Sequence, residues 1–178
     1  LHAEIDTLLS TMERVLMPLL SQSKRRTLVL LTADHGQTAV NPQSTLYLNR
    51  DSAFADLHRY IRTDARGTLL IPAGSPRDMF LYVKDGLVDQ AQTYLSERLA
   101  GRAHVLQVND LLTTGMFGPE PISSVFRARA GDLVILPFDN ETIWWYKQDR
   151  FEQKFWGHHG GLAPQEMEIP LLLYPIGC

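Results

Sequence analysis

Between Ile5 and Leu20 the apolar residues Ile5, Leu8, Leu9, Met12, Val15, Leu16, Leu19 and Leu20 recur at steps of three and four. That spacing gathers them on one face of an α-helix. The stretch 21–26 is polar and basic, and its cluster Lys24-Arg25-Arg26 reads as a solvated helix end facing outward-pointing carbonyls. Residues 27–33 then form a short, continuously apolar run, which predicts a strand covered on both faces, central in a parallel sheet, with the helix packed on it. Asp34-His35-Gly36 follow at once, so the first polar side chains stand at the C-terminal end of that strand, where open α/β sheets collect ligands.

Beyond Asn41-Pro42 the pattern changes. It predicts a helix over 52–61, strands over 79–83 and 104–108, a helix over 87–99, a short helix over 110–114 and strands over 133–136 and 142–146. Turn signals at 72–76, Asp85-Gly86 and 118–121 separate these pieces. The expected organisation is an α/β sheet flanked by helices, opened by a core segment 1–41 and interrupted by a small α/β cap subdomain over 42–153. A return segment, 154–178, carries Gly157-His158-His159-Gly160-Gly161 and ends in an apolar strand, with Pro170 near its start because proline cannot donate to a ladder.

With 178 residues, 44% apolar and 21% charged, the chain can bury a substantial core as one domain or a domain and a half. Seventeen basic and 20 acidic residues give a net charge of −3 without a long run of either sign, which disfavours a nucleic acid polymer or an anionic membrane as the main partner. No apolar stretch approaches the ~18 to 20 residues of a membrane-spanning helix. Cys178 is the single cysteine, so no internal disulfide forms and any metal is held by nitrogen and oxygen. The chain opens on Leu1 and enters a helix directly, as a piece cut from a longer protein does. The compartment therefore stays open, with the cytoplasm preferred, and so does the oligomeric state.

Asp34 and His35 can converge on one cation, with Gly36 allowing a sharp turn, or they can cap a turn and pack; the tripeptide alone does not separate the two. For His158 and His159 the flanking glycines permit close approach to a ligand, although composition alone favours a structural loop. His58 and His104 read as structural, and His2 as solvent-exposed. The aromatics Trp144, Trp145, Tyr146, Phe151, Phe155 and Trp156 read as core packing rather than as a stacking pocket for a base.

Taken together, Thr32-Ala33-Asp34-His35-Gly36 and the run from His159 through Gly160, Gly161, Leu162, Ala163, Pro164, Gln165, Glu166 and Met167 resemble two signature segments of the alkaline phosphatase superfamily. The closer resemblance is to its type I phosphodiesterase/nucleotide pyrophosphatase branch. The helix over 4–20 and Ile169-Pro170-Leu171-Leu172 match in order, and the middle region loosely. The resemblance implies two divalent metals, zinc or manganese. Asp34 and His35 would bind the ion that also holds the nucleophile, and His159 its neighbour, with His158 the fallback. The family's upstream aspartate, its threonine or serine nucleophile and its Asp-x-x-x-His pair have no counterpart here, so no catalytic residue is assigned within the chain. What is implied is the C-terminal part of a two-metal hydrolase of small phosphate esters, diesters or nucleotides, inactive by itself. A phosphomonoesterase or phosphomutase of the same superfamily is one alternative, and a non-catalytic binding or structural module that keeps the fold is another.

Overall fold

A computed structural model describes residues 2–22 and 25–176 of the chain. In order, the elements are α1 (His2–Thr11), a π turn (Met12–Leu16), α2 (Met17–Ser21), β1 (Thr27–Thr32), β2 (Thr38–Ala39), β3 (Leu46–Tyr47) and a 3₁₀ helix (Ser52–Arg59). There follow β4 (Ala73–Ser75), β5 (Asp78–Leu81), α3 (Val88–Arg98), β6 (Ala103–Gln107), α4 (Val108–Thr113), α5 (Ser124–Ala130) and β7 (Leu133–Pro137). The chain ends in β8 (Ile143–Trp144), β9 (Gly157–His158), α6 (Pro164–Met167) and β10 (Leu171–Ile176). They fall into two compact units, one made of Leu1–Asp34 with Ile169–Cys178 and the other of His35–Glu168. No helix among the described residues is long and apolar enough to cross a membrane. Lys24 and Cys178 lie outside the described residues, while Arg25 and Arg26 are exposed.

In the first unit the expected helix forms. Pro18 stands in the first turn of α2, where its missing N–H and its ring disturb the preceding turn, and the wider π turn absorbs that disturbance. Leu9, Met12 and Met17 face Val29, Leu31, Leu172 and Tyr174 across a groove of about 320 Å³. The strand departs from expectation. β1 pairs antiparallel with β10, Thr27 opposite Ile176 and Thr32 opposite Leu171, and among the described residues it has no other partner. A parallel neighbour needs a crossover connection from a further strand, and among the described residues this unit holds β1 and β10 alone. Burial along β1 alternates accordingly, leaving Leu28 and Leu30 61% and 56% exposed on the face that also carries Leu171 and Leu173.

The second unit is built on a four-stranded antiparallel sheet in the order β4-β5-β7-β6. β7 is central and reads Leu-Val-Ile-Leu-Pro, buried at every position. Leu133 and Ile135 pack with Met79, Leu81, Leu95 and Leu99 on one side, and Val134 and Leu136 with Val108, Leu112 and Ala130 on the other. The alternation of a strand thus serves two cores at once. The segment predicted as a helix over 52–61 is a 3₁₀ helix with non-helical dihedrals at Phe54. α5 was not legible from periodicity; Ser123 starts it by accepting the Phe126 N–H. Trp144 is buried and Phe151 packs against the same core, whereas Phe155 and Trp156 are exposed.

Candidate metal centre

Two segments far apart in sequence are zipped together within the second unit. Thr38 pairs with His158 and Ala39 with Gly157 in the β2–β9 ladder, and the Val40 N–H donates to the Trp156 carbonyl at 2.9 Å. The Gly36 N–H donates to the Glu166 carbonyl at 2.8 Å. Each bond satisfies a backbone group that would otherwise be costly to enclose, and together they fix the register between the His35 and His159 segments.

The result is a stack of two imidazoles. The His35 and His159 rings lie with centroids 3.6 Å apart and planes 16° from parallel. His35 Nδ1 is 2.7 Å from the Gly36 carbonyl oxygen. That oxygen only accepts, so Nδ1 donates to it, as the ring nitrogen opposite the ligating one does in metal-bound histidines. Asp34 is exposed and closes the first unit, one peptide bond before His35.

The loop after His159 is held from below by the β4–β5 turn. The one proton of the Ser75 hydroxyl is shared between Asp78 and the His159 carbonyl, 3.2 Å from Oγ, and Asp78 also accepts from the backbone N–H of Ser75. Gly160 adopts φ of 118°, open only to glycine, and a Cβ there would come within 2.7 Å of Ser75 Oγ and 2.8 Å of Asp78 Oδ1. Burial raises the Asp78 pKa above the usual carboxylate value, against the lowering effect of the Ser75 hydrogen bonds. His158 is turned to a different environment. Burial, then the neighbouring His159 and Arg77, lower its pKa, its Nε2 is enclosed without a hydrogen-bond partner, and the Phe155 ring stands edge-on at 6.0 Å.

Beneath this loop sits a fully buried ion pair. Arg77 Nε and Nη2 donate to Glu166 Oε1 and Oε2 at 3.0 and 2.7 Å, and Nη1 donates to the carbonyls of Phe138 and Glu141 at 2.7 and 2.6 Å. Glu166 also accepts the Gly161 N–H at 3.0 Å. Burial alone would raise the pKa of this glutamate, but the bonds from Arg77 and Gly161 outweigh it and hold the carboxyl below its ordinary value.

His58 stands with Nδ1 2.6 Å from the Ala55 carbonyl, and His104, edge-on to Phe138 at 4.6 Å, lines a pocket with Leu162, Ala163 and Pro164. The sequence reading passed over Ser75, Arg77 and Asp78, since an isolated polar residue in a proline-flanked turn leaves no periodic trace.

The donor chemistry at the stack suits divalent metals bound through nitrogen and oxygen. The ring separation is of the same size as the ~3.5 to 4 Å between ions in two-metal sites. Among the described residues no group of three or more His, Cys, Asp or Glu side chains is placed to hold an ion.

No family model and no curated protein matches the sequence. Solved structures do. Murine ectonucleotide pyrophosphatase/phosphodiesterase 5 aligns over 97% of this chain and 38% of its own, at 16% identity and a TM-score of 0.56. An inactive form of it in complex with AMP aligns over 83% and 33%, at 16% identity and a TM-score of 0.52. Phosphonoacetate hydrolase from Sinorhizobium meliloti in complex with phosphonoacetate aligns over 83% and 36%, at 22% identity and a TM-score of 0.52. The chain therefore spans between 33% and 38% of the length of these structures. Likeness at such identity speaks for architecture alone, and the chain shares the α/β fold of these structures over the part of each that it spans.

Proposed function

We propose that the chain supplies Asp34, His35 and His159 as ligands to a two-metal phosphoester hydrolase of the phosphodiesterase/nucleotide pyrophosphatase type. The nucleophile and the remaining ligands come from polypeptide outside this chain. The observation that carries the reading is the near-parallel stack of His35 and His159 at 3.6 Å, with His35 Nδ1 donating to the Gly36 carbonyl. Two such rings side by side present one nitrogen to each of two adjacent ions, and the stacking supports His159 over His158 as the second donor. Bound divalent ions, zinc in the first place and manganese in the second, would supply Lewis-acid stabilisation of charge on phosphoryl oxygens. The chain's own part is to hold the imidazoles parallel. His35 does so through its Nδ1 proton, His159 through its braced carbonyl. The substrate is a small phosphate ester, diester or nucleotide, a class supported by the AMP and phosphonoacetate found in the neighbours. The region 42–153 is read as part of a cap that sets substrate choice. The apolar face bearing Leu28 and Leu30 is read as covered by the absent polypeptide.

The test is hydrolysis of p-nitrophenyl phosphate mono- and diesters by the full-length protein. His159→Ala should lower turnover by ~10² to 10³, the usual worth of one electrostatic contribution to a transition state. His104→Ala should leave it nearly unchanged. Equal activity of the two variants, with circular dichroism showing both folded, would refute the assignment. Turnover of diesters over monoesters separates the phosphodiesterase from a phosphomonoesterase, and no turnover of either by metal-loaded protein would leave the non-catalytic module.

A further inference from the structure

Arg77 and Glu166 are 89 positions apart and form a buried pair, their side chains 0% and 1% exposed. Desolvating two charges is expensive, and such a pair is seldom more stabilising than apolar residues of the same volume. Its connections suggest a different use. Glu166 is joined to both imidazole segments. Its backbone carbonyl takes the N–H of Gly36, next to His35, and its carboxylate takes the N–H of Gly161, two residues after His159. Arg77 orients that carboxylate through two parallel bonds and is itself anchored on the carbonyls of Phe138 and Glu141. The Arg77 N–H also donates to Ser75 Oγ, the hydroxyl that braces the His159 carbonyl. A planar guanidinium with five donors can serve the carboxylate and both carbonyls together, which an ammonium cannot.

The geometry points to Arg77 and Glu166 as positioning residues that set the spacing of the His35 and His159 rings. The pair transmits the rigidity of the β4–β5–β7 sheet to the metal-facing loop. The inference rests on the reading of those histidines as metal ligands, and partners of ligand-bearing groups typically change metal affinity by ~10 to 100-fold when lost.

The experiment uses full-length protein and the double variant Arg77→Met/Glu166→Leu, which removes both charges so that neither is left buried alone. Cobalt(II) titration followed by visible absorption reads affinity and ligand geometry. Hydrogen exchange of the Gly36 and Gly161 amides, in metal-free protein, reads the loop. The expected result is a fold whose β7 amides exchange as in the parent, with the Gly161 amide exposed, cobalt affinity ~10 to 100-fold lower and an altered cobalt spectrum. Glu166→Gln keeps an acceptor for Gly161 and should fall between the two. A folded double variant with parental affinity and a protected Gly161 amide overturns the inference. So does failure of both variants to fold, which would make the pair a requirement of the whole fold. If His159→Ala binds cobalt as the parent does, the metal reading falls instead, and the Gly161 exchange alone decides whether the pair sets the loop.

Discussion

A methyl group at Gly36 would overlap the carbonyl oxygen of Gln165, and backbone cannot move aside there without breaking the Gly36–Glu166 hydrogen bond. Gly36→Ala should therefore destabilise the protein by ~1 to 3 kcal/mol, the usual range for overpacking, as read by urea denaturation. Glu166 makes a second prediction, about pH. Its folded pKa lies below its ordinary value, so its stabilisation is complete above the unfolded pKa of about 4.3 and is lost as pH falls through the lower folded value. Asp78, raised by burial, works in the opposite sense, adding stability as pH falls through its folded pKa. Glu166→Gln should flatten the acid limb of a stability–pH profile, while Asp78→Asn should steepen it. Asp34, His35 and His159 were legible as candidates because they interrupt apolar or glycine-rich runs at element ends. Arg77 was not, since nothing in a sequence marks an arginine whose partner lies 89 residues away.

Among the elements, those with several turns of periodicity were legible: the helix around the π turn, α3, β6 and β7. Two-residue ladders such as β2–β9 carry no periodic signal, and they are the ones that bring the histidines together. β1 was recognised as a strand, but its apolar run could not reveal that its partner here is antiparallel and that one face is bare. Exposed strand edges and apolar faces favour association. Leu28→Lys/Leu30→Lys should therefore raise the monomer fraction of the isolated chain on size-exclusion chromatography. In the full-length protein, where the proposed function has that face covered, the same pair should lower the melting temperature. An equal effect in both would argue against a covering segment.

For the chain as a whole, the described residues bring two imidazoles together and no group of three metal-binding side chains. A catalytic zinc usually takes three protein ligands and one open position. The isolated 178-residue chain should accordingly bind zinc weakly in isothermal titration and hydrolyse no phosphate ester at an enzymatic rate. Tight uptake of two zinc ions would contradict this. The β2–β9 ladder has a consequence for modular exchange. Val40 and Trp156 meet at one hydrogen bond, a gap that a hairpin loop of ~2 to 5 residues can span, so everything between them could be swapped for a different insert without moving the two ends. Yet Ser75 and Arg77 belong to that insert and brace the His159 loop. A chimaera built at Val40 and Trp156 keeps its histidines in register only if the donor insert brings its own hydroxyl and guanidinium to the same two points.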